Sequence, residues 1–490
     1  MSNISFSFFC LLRLRQNGLL VCIVLLNACS VGTDYTPPKI ELNDQWGALY
    51  SDADSRITVS KKNISSPEPW WKQFSDPTLS MLMEKGLADN NDLKVAQARI
   101  VEARAQENYT SAQLYPEIGA SGSASRAALA SIYANKPDNT RHGGINGNWD
   151  LDIFGENRRR REAAQANVQA AEYDFAQAQL NLLTDIALNY SHLRGAQKQR
   201  RLTLRNLNIQ RDTLRITRAL RKAQDVTELD VIRVEAQIAT TEARLPQIHT
   251  TIIAAINRLC VLTGQQPSML DTLLLSEKKM LSIPENLVVL SPIATIAQRP
   301  DVHAAERRLA QASALSNAAF AELFPKLSLN AFFDSSYSGH FGSLLPWSTT
   351  VSAMFPLLDF GRIRSQINVA DAHQQQLFYT YQQTVLLALE DTKNNLDSYV
   401  DEGHRSILLH NVALGEAHAV NMAREQYRGG IVTQLDLLDA ERNLLDAESA
   451  WVLSLQTTAD NLIQLHRSLG EGAAAATNYT SFLNKNDFRH

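Results

Sequence analysis

Cysteine is nearly absent from this chain, with four residues in 490. Cys10, Cys22 and Cys29 crowd the start, and only Cys260 lies beyond them. No disulfide framework can be built from that set. Cys260 sits in a helical apolar pattern, the usual setting of a buried, unreactive thiol. Beyond the N-terminus there is no apolar run long enough to read as a transmembrane helix. An excess of one charge is missing too. The 47 Lys and Arg face 51 Asp and Glu, which gives no electrostatic reason for binding nucleic acid. No phosphate loop, zinc spacing or nucleophile elbow occurs. Gly143 to Asn148 is a glycine cluster that precedes no phosphate-binding turn. The histidines are scattered, and Met81 with Met83 read as core residues of an amphipathic helix. An enzyme is therefore the least favoured class, and no cofactor or metal is expected.

The N-terminus carries its own pattern. Arg13 and Arg15 precede a short apolar core, Gly18 to Leu26, and the small residues Ala28, Cys29 and Ser30 follow. That order is a secretion signal whose core is too short to stay in a bilayer. Leu26-Asn27-Ala28-Cys29 is similar to a bacterial lipobox, which makes Cys29 the expected site of lipid attachment.

The rest of the chain repeats itself. Phe154-Gly155 returns as Phe360-Gly361, Val226 to Asp230 returns as Val432 to Asp436, and Leu262 to Gly264 is echoed by Ser468 to Gly470. All three pairs keep one spacing. Leu114-Tyr115-Pro116 also returns as Leu323-Phe324-Pro325. Each copy begins with an Ala-rich helix, 77–113 and 299–322, that ends before the proline. Two strands with period-2 alternation follow. Ile145, Gly147, Trp149, Leu151 and Ile153 share one face, and Asn146, Asn148, Asp150 and Asp152 the other. Leu327, Leu329, Ala331 and Phe333 line one face of a second strand, and Val351, Ala353, Phe355 and Leu357 one face of a third, at 349–358. The strand after Pro116 has small residues at Ile118, Ala120, Gly122 and Ala124. Loops are expected near 126–142 and 335–346.

Proline-free helices then run over 156–223 and 362–428. Each would reach roughly 100 Å at 1.5 Å per residue, a length that implies coiled-coil packing. The first places Ala164, Val168, Ala171, Phe175, Ala178 and Leu182 at alternating spacings of four and three. The return from Asp230 is a clear heptad seam: Val231, Val234, Ile238, Thr241, Leu245, Ile248, Ile252, Ala255, Leu259 and Leu262. Pro246 should kink or divide it. Four half-apolar strands cannot close in lipid alone, because open edges leave backbone groups unpaired. Three copies would supply about twelve strands, inside the known barrel range. The residues therefore read as mainly α, with two long antiparallel coiled-coil hairpins and four strands that need further copies of the chain to close in lipid; a soluble antiparallel sheet with one solvated face is the alternative. Arginines just after Gly155 and Gly361 sit badly beside a helix N-terminal dipole, which anionic headgroups would offset. A solvated charged face explains them equally well.

In this order and spacing the residues resemble the TolC and OprM type of outer-membrane efflux proteins, in the lipoprotein branch called NodT. The likeness is carried by Trp70 to Phe74 with Asp76-Pro77, by Arg299 to Val302 with Ala305 to Leu309, and by Tyr427 to Asp439. The resemblance implies a mainly α outer-membrane homotrimer, with a long antiparallel coiled-coil α-barrel as its periplasmic tunnel and a small twelve-stranded membrane β-barrel, without catalytic residues or cofactor. It also implies a periplasmic adaptor and an inner-membrane transporter of the RND type as partners, with outer-membrane lipid around the barrel and no nucleic acid. It sets Asp436 and Asp439 at a carboxylate-ringed entrance, and Tyr427 where a tyrosine holds that entrance closed. Helix N-capping is the competing role for Asp436 and Asp439, and the favoured one for Asp230. Val432 stands where the family often has Arg, so any closing network must differ. The tips expected to meet the adaptor are Gly429, Gly430, Val432 and Thr433 in one copy and Val226, Thr227 and Asp230 in the other. Only one tip has a glycine pair, so the two should behave differently.

The expected segments are a signal peptide (1–28), a lipidated N-terminal segment (29–76), a first repeat (77–264), a linker (265–298), a second repeat (299–470) and a tail (471–490). The rival reading is a pore-free periplasmic coiled-coil lipoprotein with a structural or adaptor role. It leaves the matched strand pairs unexplained.

Overall fold

The computed structural model describes residues 31–43, 45–46, 57–60, 69–127, 137–284, 287–338 and 342–472. The expected signal peptide, Cys29 and the tail after Gly472 lie outside them.

The chain opens with a short strand, Ile57–Ser60 (β1), and a 3₁₀ turn at Trp70–Phe74. Two helices follow, Pro77–Asp89 (α1) and Asn91–Ala112 (α2), then Glu117–Ala127 (β2), Asp138–Leu151 (β3) and the 67-residue Glu156–Lys222 (α3). The return is Glu228–Glu242 (α4) and Arg244–Leu262 (α5). Asp271–Leu274 (α6), Leu287–Leu290 (β4) and Pro292–Ile296 (α7) lead to Pro300–Ala321 (α8). Lys326–Ser338 (β5), Gly342–Leu344 (β6) and Trp347–Met354 (β7) precede a second 67-residue helix, Arg362–Arg428 (α9), and its return Gln434–Ser468 (α10). Start to start (156 to 362) and end to end (222 to 428), α3 and α9 are displaced by the same 206 residues.

The expected 77–113 helix is cut at Asn90. Its backbone N–H closes α1 on the Gly86 carbonyl, and its side-chain oxygen accepts from the Leu93 N–H at 3.0 Å to cap α2. The return helix divides at Ala243, three residues before Pro246, as a ring that clashes with a preceding carbonyl requires. The linker between the copies is ordered: its β4 pairs in parallel with β1, a pairing that alternation could not show. By length and hydropathy Glu228–Leu262 is apolar enough to cross a bilayer, contrary to the sequence reading. On the expected seam Val231, Val234, Ile252, Ala255, Leu259 and Leu262 are buried, while Leu229, Ile232 and Val261 off it are exposed.

Contacts divide the chain into two compact units. One takes in residues 1–40, 98–172 and 303–383 and contains the five-stranded antiparallel sheet, ordered β2-β3-β5 with β6 and β7 both against β5. The strands run further than expected into both loops, while β7 stops at Met354, before Pro356, so Phe355 and Leu357 lie outside it. Register places Leu151 beside Leu327 and Ala353, Trp149 beside Leu329 and Val351, and Ile145 beside Phe333, Ala120 and Trp347. The opposite face aligns Asn148 with Asn330 and Thr350, and Asp150 with Ser328 and Ser352. The helices of this unit pack through small residues, with Ala163, Ala166, Ala170, Ala304, Ala314 and Ala318 buried. Of the expected 164–171 series in α3, Val168 is buried and Ala164 and Ala171 are half-buried.

Arg158, Arg159 and Arg160 after Gly155 are paired within the protein. Asp152 accepts the Asn157 and Arg158 backbone N–H groups at 3.0 and 2.8 Å, satisfying the helix start. Arg159 binds Glu162 at 2.7 Å and Asp34 at 3.1 Å, and Arg160 binds Glu156 at 2.9 Å. Asp359 caps α9 in the same way, through Gly361 and Ile363. Local carboxylates offset the dipole there, so headgroups are not needed to explain the arginines.

The other unit takes in 41–97, 173–302 and 384–490. Its core joins Trp70, Trp71, Phe74, Leu82, Met83, Ile186, Leu259, Cys260, Leu462 and Ile463. Met83 is in this core while Met81 is exposed, so the two do not face one site.

Candidate functional site

The turns of the two long hairpins are built alike. At the second, Ile431 N–H returns to the Gln426 carbonyl at 2.9 Å and Gly430 N–H to Tyr427 at 3.1 Å, with Gly430 at φ +69°. At the first, Asp225 N–H returns to Leu220 at 3.0 Å and Gln224 N–H to Arg221 at 3.1 Å, with Gln224 at φ +67°. Both are Schellman closures. The absent glycine pair changes the side chain at the turn, not its backbone. Gly429 does not take a positive φ; only Gly430 needs it.

Each return helix starts on a capping box. Thr433 Oγ1 and N–H both donate to Asp436 Oδ2, at 2.6 and 2.9 Å, and Asp436 N–H reaches Thr433 Oγ1 at 3.3 Å. Thr227 makes the matching bonds to Asp230, at 2.7 and 2.8 Å. The bonds from Thr433 hold the Asp436 carboxyl below the usual carboxylate range. Asp439, one turn on, is half exposed and pairs with Arg442 at 3.0 Å. Val226 and Val432 are half-buried at matching positions.

Tyr427 points into the protomer. It is buried, and its hydroxyl lies 3.3 Å from Thr217 Oγ1. Thr217 already donates to the Thr213 carbonyl, so Tyr427 is the donor between them. Burial raises the phenol pKa. Below it, Thr213 Oγ1 donates to Glu441 Oε1 at 2.6 Å, and Arg424 approaches the same oxygen at 3.9 Å. Burial pushes the Glu441 carboxyl up. Gln434 Nε2 donates to the Asp230 carbonyl, tying one tip to the other.

Thr213, Thr217, Gln434, Glu441 and Arg424 escaped the sequence reading. Thr203, Asn206, Gln210, Thr213 and Thr217 are all buried at spacings of three and four, with Asn206 Nδ2 donating to Glu448 at 2.9 Å. That is a heptad seam written in polar residues, which a search for apolar heptads passes over.

Comparisons with known proteins agree with this architecture. Residues 82–265 and 293–471 match the outer membrane efflux protein family. Nodulation protein T of Rhizobium leguminosarum bv. trifolii is 27% identical over 457 residues, covering 92% of this chain and 96% of the relative. The pyoverdine export outer membrane protein OpmQ of Pseudomonas aeruginosa is 27% identical over 475 residues, covering 94% and 98%. Among solved structures, the outer-membrane channel OprN superposes with a TM-score of 0.81 at 33% identity, covering 91% of this chain and 100% of that one. The chain belongs to the outer membrane efflux protein family.

Proposed function

We propose that three copies of this chain, each giving four strand positions because β6 and β7 lie end to end along β5, close their sheets into a twelve-stranded barrel and form the exit duct of a tripartite pump. The observation that carries this reading is the sheet. From the Leu151–Leu327–Ala353 row to the Ala120–Ile145–Phe333–Trp347 row one face carries no charged residue and is mostly apolar, yet β2 and β7 have no further strand partner among the described residues. Open edges of that length do not survive in lipid, and identical neighbours supply the missing strands. The hairpin tips then face a periplasmic adaptor and, with it, an inner-membrane transporter of the RND type. Cys29 carries the lipid, two residues before Val31, whose N–H bonds the Phe154 carbonyl at 3.3 Å.

At the entrance, Asp436 acts first as a cap, while Asp439 supplies the carboxylate that three-fold symmetry turns into a ring. Such a ring favours cations and is blocked by them. Tyr427 holds the second hairpin against α3 through Thr217. The duct itself is passive, and cargo choice lies in the transporter.

Planar-bilayer conductance of the purified protein tests this. Small steps blocked by divalent cations are expected, with the block weakened in Asp439→Ala. A folded wild-type protein that never conducts overturns the duct. Conductance with an unchanged block in Asp439→Ala removes Asp439 from the entrance and leaves the duct standing.

A further inference from the structure

Charge on the sheet is sorted by face. Register puts Ile118, Ala120, Ala124 and Arg126 of β2 on the same side as Arg141, Ile145, Trp149 and Leu151 of β3. Tyr337, Phe333, Leu329 and Leu327 of β5 continue that side. The only charged residues on it are Arg126 and Arg141, and no carboxylate lies there among the described residues. The acids Glu117, Asp138, Asp150 and Asp334 all fall on the other face.

The two arginines also share one end. Arg141 lies directly across from Ala124 on one side and Tyr337 on the other, and Arg126 pairs with Asn139, so Arg126 and Arg141 are diagonal neighbours. Diagonal residues stand about 7–8 Å apart, within reach of two long side chains converging on one group. This end is remote from the strand-to-helix junctions. From the Leu151–Leu327 row to the Arg141–Tyr337 row is ten residues along each strand. At about 3.4 Å per residue and a tilt of about 35–45°, that spans roughly 25 Å of membrane thickness, the height of a barrel's apolar band. The row with Arg141 and Tyr337 therefore marks the outer boundary of that band.

Neither arginine has a hydrogen-bonded or ionic partner within the chain among the described residues, and both are exposed. A guanidinium facing lipid is costly unless it meets an anionic headgroup. Two guanidinium forks beside a phenol hydroxyl match the geometry of a phosphate monoester.

We propose that Arg126, Arg141 and Tyr337 form a binding site for the phosphate group of an anionic outer-leaflet glycolipid. The inference rests on the barrel reading above. Each subunit of the trimer would carry one site, and the bound lipid would cover the seam between β2 and β3 at the outer rim.

Native mass spectrometry of the full-length protein in detergent, titrated with bisphosphorylated lipid A, tests the site. Wild type should retain the lipid about tenfold better than Arg126→Gln/Arg141→Gln, while dephosphorylated lipid A should not distinguish them. Arg126→Lys/Arg141→Lys should fall between, since it keeps charge but loses the fork. Equal retention by wild type and the Gln variant overturns the site. Displacement of lipid A by millimolar inorganic phosphate overturns the lipid as its ligand and assigns a free anion instead. Protease protection of the strands in lipid vesicles separates the two readings. A wild type that does not insert overturns the barrel and the site together, and one that inserts without discriminating the lipids overturns the site alone.

Discussion

Thr433 and Asp436 hold each other reciprocally. The threonine hydroxyl donates to Asp436 Oδ2 at 2.6 Å, and the aspartate N–H reaches back to Thr433 Oγ1 at 3.3 Å. One of the two carboxylates that the family resemblance sets at the entrance is thus committed to the start of α10. Thr433→Ala should cost about 1 kcal/mol, seen in chemical denaturation and in faster amide exchange over residues 434–437. The Asp436 pKa is depressed in the fold. Its capping contribution is complete above the ordinary carboxylate pKa and is lost as pH falls through the lowered value. The protection of amides at this tip, taken relative to their intrinsic exchange rate at each pH, should therefore fall only at strongly acidic pH. Protection that stays constant down to strong acid would mean that the carboxylate does not cap.

Glu441 runs the other way. Burial raises its pKa, against the smaller opposing effects of Thr213 and Arg424. A raised carboxyl contributes stability that is present below its ordinary pKa and lost as pH rises through the folded value. Thermal unfolding should show this loss between the acidic range and neutrality. Glu441→Gln keeps an acceptor for Thr213 and should flatten that slope. An unchanged slope in the variant would assign the pH dependence elsewhere.

Gln224 occupies the left-handed position that Gly430 fills 206 residues later. A side chain there costs about 1–2 kcal/mol. Gln224→Gly should stabilise the first hairpin by about 1 kcal/mol, and Gly430→Ala should destabilise the second by a similar amount. Calorimetric melting of both variants checks the sign.

Leu329 lies between Trp149 and Val351 on the apolar face. Leu329→Arg should cost about 2–4 kcal/mol if this face meets lipid, and should deplete the protein from the outer-membrane fraction. Phe355→Asp should assemble better, because Phe355 lies beyond the last residue of β7. Normal assembly of Leu329→Arg would count against a lipid-facing surface.

Arg159 holds the segment that follows Cys29 through Asp34 and the Gly32 carbonyl, at 3.1 and 3.3 Å. Arg159→Ala should expose residues 31–40 to limited proteolysis while leaving the strands protected. Unchanged cleavage would mean that the segment is held by Tyr35 and Val31 instead.

Much of this was legible in the chain. Absence of proline over 67 residues gave both long helices to within a residue, because propensity and an uninterrupted hydrogen-bond ladder decide a helix locally. Asp near the start of each return helix pointed to capping, as the favoured role of Asp230 and one of two for Asp436, while the caps themselves are Thr227 and Thr433 with the Asp as their N3 partners. The alternation in Ile145 to Leu151 gave the strand and its two faces, because a pleat alternates regardless of its neighbours.

Tertiary structure decided what depends on residues distant in sequence. Alternation gives a strand two faces but no partner, so the alignment of Leu151, Leu327 and Ala353 exists only in the folded sheet. The pairing of β1 with β4 crosses more than two hundred residues, and no local pattern records it. Polar residues at seam spacing look like a solvated face until another helix covers them. Only then do Thr213 and Glu441 become a buried hydrogen bond, and only that burial moves the carboxyl's pKa. The sequence determined which segments are helix, strand and turn, because those choices are made over a few residues. Packing decided which polar groups are buried and which faces meet, because hydrogen bonding and desolvation act between residues that the chain brings together only when it folds.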